Sequence, residues 1–441
     1  MSTQPAQAAR PTVDFDHHFV AGGVDPEVAY GELRKKCPVA WSENHGGYWI
    51  VSTYDLVSEV FHDHQSFSTA RNPKTPELTN LAIPPQPFQL QIPEELDPPD
   101  FLPFRRLLNG ILSLQKVRAG ALSERARYWV DWHIDQVIEK GECDLVYDLA
   151  SPVIGAVVLE WLGFPSSDWL RISESFHDAV GYAPDSERAQ RAFQEIATFQ
   201  ARRVSEEVAL RFELLENGTP KDDAMGYLAS QVVAGEPMTP ELVEAMVRLL
   251  IAGGVDTTAS GSTSALVHLH HHPEHRATLI ETPDLWDTAV DEFLRRYPPV
   301  LGHGRTVKQE VELGGQTLCP GERVLVSEAS ACWDEGEFEG ADEVRLDRFP
   351  NRHVAFGLGI HRCPGMHLAR YVFRDLVSGV LDRMPDYAVD ESRAFRNANQ
   401  AGMAGWASVH ATFTPGQRKI SGPDELTYAD IPTRVSEAGD A

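Results

Sequence analysis

The sequence predicts a mainly α-helical protein with a small β-portion, and three observations carry that expectation. From about residue 104 to 280 apolar residues recur at helical spacing, as in Val243, Met246, Val247, Leu250 and Ile251. That is the i, i+3, i+4, i+7, i+8 stripe of one helix face. β-branched and aromatic runs are confined to two short regions, one near residue 50 and one between residues 311 and 326. Seven of the thirty prolines lie between residues 72 and 98, which rules out a long regular element there.

Residues 1–14 are polar, lack an apolar signal core and read as a disordered leader. Gly46-Gly47 is a turn, and Tyr48 to Thr53 reads as the strand that follows it. Asp55 to His62 reads as a short helix. The proline-rich stretch 72–98 is a long irregular segment, the kind that serves as a lid or binding loop. Within the helical body Val153–Phe164 is the most apolar stretch. It is short and contains Glu160, so it reads as a buried core helix; a membrane span needs ~20 apolar residues. Val311–Leu318 folds back about Gly314-Gly315 as a hairpin, and Arg323–Val326 is a further strand. The expected organisation is one domain over residues 15–415, followed by an acidic polar tail at 416–441. No internal repeat is visible.

Composition narrows the function. The chain has 441 residues, 42% hydrophobic and 24% charged, with a formal net charge of −26 and a pI near 5.0. A basic footprint is missing, which argues against a nucleic-acid partner. The five cysteines, Cys37, Cys143, Cys319, Cys332 and Cys363, are odd in number, widely spaced and without a CxxC. That spacing argues against a disulfide framework or zinc site and suits a reducing cytoplasm. The expected protein is cytoplasmic, with no membrane association.

Chemistry concentrates in Phe356-Gly357-Leu358-Gly359-Ile360-His361-Arg362-Cys363-Pro364-Gly365. Glycines let backbone turn sharply and approach a flat group closely. A helix starting just after Cys363 places positive dipole near the sulfur and favours its anion. A second run, Ala252-Gly253-Gly254-Val255-Asp256-Thr257-Thr258, interrupts a helical pattern. Mid-helix glycine costs roughly 1 kcal/mol relative to alanine, so this run suggests room for a ligand or a local bulge. A third, Glu292-Phe293-Leu294-Arg295, places an acid and a base one turn apart on a helix face. The histidines at 268, 270, 271, 272 and 275 surround Pro273 without forming an HExxH; they read as a helix end.

The cysteine run resembles the signature of the cytochrome P450 family, the haem-thiolate monooxygenases. Phe356, Gly357, Gly359, His361, Cys363 and Gly365 match the family pattern. The resemblance spans roughly residues 15–415 and implies the cytochrome P450 fold. It also implies haem b (iron protoporphyrin IX) with the Cys363 thiolate as axial metal ligand, an arrangement that favours O–O cleavage. Phe356, Gly357, Gly365 and Gly253 would lie against the cofactor. Asp256 and Thr257 match the family's acid–alcohol pair, with an implied catalytic role in proton delivery. Glu292, Arg295 and Arg348 match a buried structural ion network. Arg105, Arg305 and His361 match the propionate contacts. Where many bacterial members have a histidine four residues before the arginine, this chain has Phe101; the resemblance then implies that one propionate donor is either absent or supplied elsewhere, with nearby His303 a candidate.

By position, Phe88, Gln89, Leu249, Ala252, Val300, Leu301 and Met403 would line the substrate pocket. They are mostly apolar, which suggests a small hydrophobic substrate such as a terpenoid, steroid or alkyl-aromatic. The layout is closest to the bacterial camphor-hydroxylase-like branch, but Gln89 falls near the place of the tyrosine that anchors camphor there. Dioxygen is the implied co-substrate, with hydroxylation the implied outcome. With no flavin or NAD fingerprint in the chain, a ferredoxin and its reductase are the implied electron donors. Arg105, Arg106, Lys116, Arg118, Arg362 and Arg370 form the expected docking side. Dealkylation, epoxidation, coupling and peroxygenation remain alternatives, as does a non-catalytic haem sensor.

Overall fold

The structure is a computed structural model, and it describes residues 10–19, 23–119, 121–398 and 403–420. A six-stranded sheet runs in the order Thr12–Val13, Val39–Ser42, Tyr48–Val51, Arg323–Val326, His303–Val307, Phe67–Ser68. Its centre is the strand read at residues 48–53. There Trp49 and Val51 pack with Val57, Phe61, Val324 and Cys332 on one face. Tyr48 and Ile50 pack with Tyr30, Leu301 and Trp333 on the other. Period-two alternation thus fills both faces of a covered sheet. Trp49 pairs with Val324 in parallel, and Val324 pairs with Arg305 in antiparallel. This ladder fixes where Arg305 stands. A second, three-stranded sheet joins Ala388–Arg396, Trp406–Thr412 and Glu142–Asp144.

The helical body forms one apolar cluster running from Ile92 to Phe413. The stripe on Pro240–Gly254 is buried as its spacing predicts: Val243, Met246, Val247, Leu250 and Ile251 all face the core. Thr239 caps this helix by accepting from the Leu242 amide, and Pro240 occupies its first turn. The next helix, Thr257–His271, is buried from Thr258 to Leu269 although it carries Ser260, Ser262, Thr263 and Ser264. Ser264 satisfies its hydroxyl by donating back to the Ser260 carbonyl at 2.8 Å. Leu294 and Phe373 pack against this helix at Gly261. Met366–Arg383 packs beside it and against Ala121–Val137. Leu145–Leu162 is long and apolar enough to cross a membrane, but 83% of it is buried inside the protein.

Two boundaries differ from the sequence reading. Of the expected leader, residues 1–9 lie outside the described residues. From Arg10 the chain is already part of the fold: Thr12–Val13 pair with Trp41 and Ser42, and Arg10 lies over the Trp41 ring and pairs with Glu322. A two-residue edge strand is too short to show a periodic pattern. Of the expected tail, residues 421–441 lie outside the described residues. Gly416 donates to the Ile138 carbonyl, and the Lys419 and Ile420 amides donate to Asp135.

Candidate active site

The cysteine loop closes through the Cys363 amide, which donates to the Phe356 carbonyl at 2.8 Å. Gly357 and Gly359 take φ of 63° and 66°, the left-handed region that favours glycine. A Cβ at Gly359 would also collide with the Phe61 carbonyl oxygen. Gly365 caps the Met366–Arg383 helix. Burial pushes the Cys363 thiol up from its ordinary value, while the Gly365 amide and Arg105 pull it back. Cys332, buried in the sheet core, is pushed up to about 12. Phe356 is covered by the Arg370 guanidinium at 4.6 Å.

Three cationic or donor groups converge beside this loop. Arg305 is buried, yet the one hydrogen bond its side chain makes among the described residues goes to the neighbouring Gly304 carbonyl, at 2.8 Å. Burial lowers its pKa, and Glu328, Glu94 and Asp97 oppose that. Arg105, on the Phe101–Leu112 helix, is half-buried with no ion pair among the described residues; burial lowers its pKa too, against the attraction of Cys363. The His361 ring sits 4.4 Å from the Phe101 ring, and its Nε2 lies 3.3 Å from Thr69 Oγ1. Burial, then Arg305, hold His361 neutral with a pKa near 3. Phe101, buried against the His361 ring, has no side-chain donor to offer. His303 is committed elsewhere, with Nδ1 2.6 Å from Glu328 Oε1.

The helical pattern breaks at Val255–Asp256. Thr257 Oγ1 donates to the Gly253 carbonyl at 2.9 Å, bridging the break. A Cβ on Gly253 would meet no heavy atom within 4 Å. Asp256 is buried; its Oδ1 lies 2.9 Å from His177 Nδ1, and its Oδ2 has no hydrogen-bond partner among the described residues. His177 Nε2 lies 2.9 Å from the Ala407 carbonyl. Burial opposes charge on His177, but Asp256 and the Ala407 carbonyl outweigh it and raise its pKa to about 9. Tyr147 meets His177 edge-on at 4.9 Å, and its hydroxyl donates to Asp178 and accepts from Arg188. Sequence reasoning missed His177. It lies 79 positions from Asp256, on a helix where no local pattern marks it.

The ion network assembles as read. Arg295 grips Glu292 through Nε and Nη2 at 2.8 and 3.0 Å, and Arg348 Nε reaches the same carboxylate at 2.9 Å. The Arg345 amide and Asn351 complete its hydrogen bonds. On the substrate side Val300 and Met403 are brought together by a bridge. Leu249, Ala252 and Gln89 are half-buried. Phe88 stands 41% exposed, and Leu301, 2% exposed, is packed in the sheet core with Phe15 and Trp333. Among the six expected docking cations, Arg370 is spent on Asp291 at 2.6 Å. Arg106, Lys116, Arg118 and Arg362 are exposed and carry no ion pair among the described residues. The histidine run is a helix end: one helix stops at His271 and the next starts at Pro273.

The family model for cytochrome P450 matches residues 166–383. A steroid C26-monooxygenase of Mycobacterium tuberculosis is 31% identical over 412 residues, covering 92% of this chain and 98% of that protein. A linalool 8-monooxygenase of Pseudomonas putida is 29% identical, covering 84% of this chain and 92% of its own. A Mycobacterium marinum cytochrome P450 in complex with pseudoionone aligns with a TM-score of 0.79 at 25% identity, over 88% of this chain and 94% of its own. The chain belongs to the cytochrome P450 family, and it is a haem-thiolate monooxygenase of the kind found in bacteria. The residues present fit that cofactor. A buried, under-satisfied Arg305, an Arg105 with no ion pair among the described residues and a neutral His361 suit two carboxylates, and Cys363 supplies a thiol in the glycine-turn loop.

Proposed function

We propose that this chain hydroxylates a small hydrophobic molecule of the terpenoid or steroid class, using dioxygen and electrons from a ferredoxin. The observation that carries the reading is the Asp256–Thr257 pair set at a helix break, with Asp256 Oδ2 buried and without a hydrogen-bond partner among the described residues. The bound haem supplies the oxidising power; the protein supplies position, dryness and protons. Cys363 would hold the iron, and Arg105, Arg305 and His361 the carboxylate edge. Thr257, its hydroxyl proton given to the Gly253 carbonyl, offers its oxygen lone pairs to a water. Asp256 exchanges a proton with that water and with His177. Arg188, Asp178 and the Tyr147 hydroxyl are linked by hydrogen bonds, the Tyr147 ring meets His177 edge-on, and His177 Nδ1 lies 2.9 Å from Asp256 Oδ1. Peroxide use needs no such route, so the pair favours dioxygen.

The half-buried apolar residues Leu249, Ala252, Val300 and Met403, together with relatives named for steroid and linalool oxidation, support the substrate class. The exposed cations Arg106, Lys116, Arg118 and Arg362, which carry no ion pair among the described residues, support an acidic electron donor, because steering needs uncompensated charge. The test is an optical titration of the ferric protein with terpenoids and steroids. A blue shift of the Soret band with members of these classes is the expected result. A shift only with polar compounds would reject the substrate class.

A further inference from the structure

Three histidines meet far from the cysteine loop, between the N-terminal segment and the loop joining strands Val39–Ser42 and Tyr48–Val51. The His17 and His18 ring centroids are 4.4 Å apart, His17 and His45 5.2 Å, and His18 and His45 4.1 Å. Ligand-capable nitrogens of all three lie within 4.8 Å of one another. His45 is held at φ 54°, ψ 27°, a conformation few non-glycine residues adopt. It brings the ring over His18.

The hydrogen bonds fix which nitrogen of each ring carries the proton. Tyr48 donates its hydroxyl proton to the Phe15 carbonyl at 2.8 Å, so it accepts from His17 Nδ1 at 3.1 Å. His18 Nε2 donates to the Ile83 carbonyl at 2.8 Å. His45 Nε2 donates to Asp16 Oδ1 at 2.7 Å. In the neutral rings the remaining nitrogens, His17 Nε2, His18 Nδ1 and His45 Nδ1, therefore carry lone pairs. Each ligand would have an outer partner that is a hydroxyl, a backbone carbonyl or a carboxylate. Such partners orient metal-bound imidazoles and raise their basicity. His17 is buried, and His18 and His45 are half-buried.

We propose that His17, His18 and His45 form a site for a divalent transition metal of the zinc type, with a fourth position open to water. Imidazole suits zinc, copper and nickel. Bonds of about 2.0–2.1 Å in a tetrahedron need nitrogens about 3.3 Å apart, so the His18 and His45 rings, stacked at an interplanar angle of 28°, must turn against each other to bring their lone pairs onto one ion. The metal joins the N-terminal segment to the sheet, and through Ile83 to the proline-rich segment. The other histidine cluster, His268, His272 and His275, is a poorer candidate. His268 already spends Nδ1 on Tyr297 and Nε2 on His275.

The test is calorimetric titration of chelator-treated, haem-loaded, full-length protein with zinc chloride. One equivalent should bind and raise the unfolding temperature. His45→Asn, which tolerates the left-handed backbone, should weaken binding at least about tenfold, and Asp16→Asn roughly tenfold, while His275→Asn leaves it unchanged. An unaltered haem spectrum certifies that each variant is folded. Copper(II) in place of zinc should show nitrogen couplings from imidazoles in its paramagnetic resonance. The site is refuted if the wild type binds no stoichiometric zinc, or if His45→Asn binds zinc as the wild type does.

Discussion

Replacing His177 with glutamine should remove a pH dependence of stability that the wild type shows between about pH 6.5 and 9. His177 is buried between Asp256 and the Ala407 carbonyl, and its pKa rises from an ordinary 6.5 to about 9. A raised folded-state pKa means that the folded protein holds the proton more tightly than the unfolded chain does. The stabilisation is then complete below pH 6.5 and is lost as pH climbs through 9. At about 1.36 kcal/mol per pH unit, the rise from 6.5 to about 9 corresponds to about 3 kcal/mol. Glutamine keeps a donor toward Asp256 but cannot titrate.

The assay is urea unfolding of the haem-loaded protein at pH 6 and pH 10, wild type against His177→Gln. The wild type should lose about 3 kcal/mol more than the variant across that interval. Other histidines do not mimic the effect: His17, His268 and His361 have pKa values near 3, so their influence lies at acid pH. His303 is also raised, against burial and by Glu328, but it remains in both proteins and cancels. Equal losses in wild type and variant would show that His177 is not a buried imidazolium, and the proton route through Asp256 would lose its entrance.

Thr257→Ala should leave substrate-induced Soret shifts intact while lowering product formed per NAD(P)H consumed; unchanged coupling would remove the hydroxyl from proton delivery. Glu292→Gln should weaken the buried clamp on Arg295 and Arg348, costing about 3–5 kcal/mol, seen as haem loss and a reduced thiolate-type carbon monoxide band. Charge reversal at Arg106 and Lys116 should slow reduction by an acidic ferredoxin and flatten its dependence on salt; rates and salt slopes equal to the wild type would move the docking surface elsewhere.

What could be read from the chain depended on how local its physics is. The cysteine loop was legible because its glycines are needed where they stand, at φ of 63° and 66° beside one thiol. Glu292 and Arg295 were legible because one helical turn makes them neighbours, and the resemblance supplied Arg348, 56 positions on. His177 was not, because its meeting with Asp256 is made only by packing one helix over another. Val300 and Leu301 show the same limit within one peptide unit. Both are apolar, and both fall where the pocket was expected. Val300 is half-buried and its backbone bridges to Met403, while Leu301 is buried in the core beside Phe15, as alternation between the sides of an extended chain allows. The choice between those sides is made by the ladder that begins at His303 and Val326. Substrate specificity, which turns on such alternations, therefore stays hidden from composition even where the cofactor site is plain.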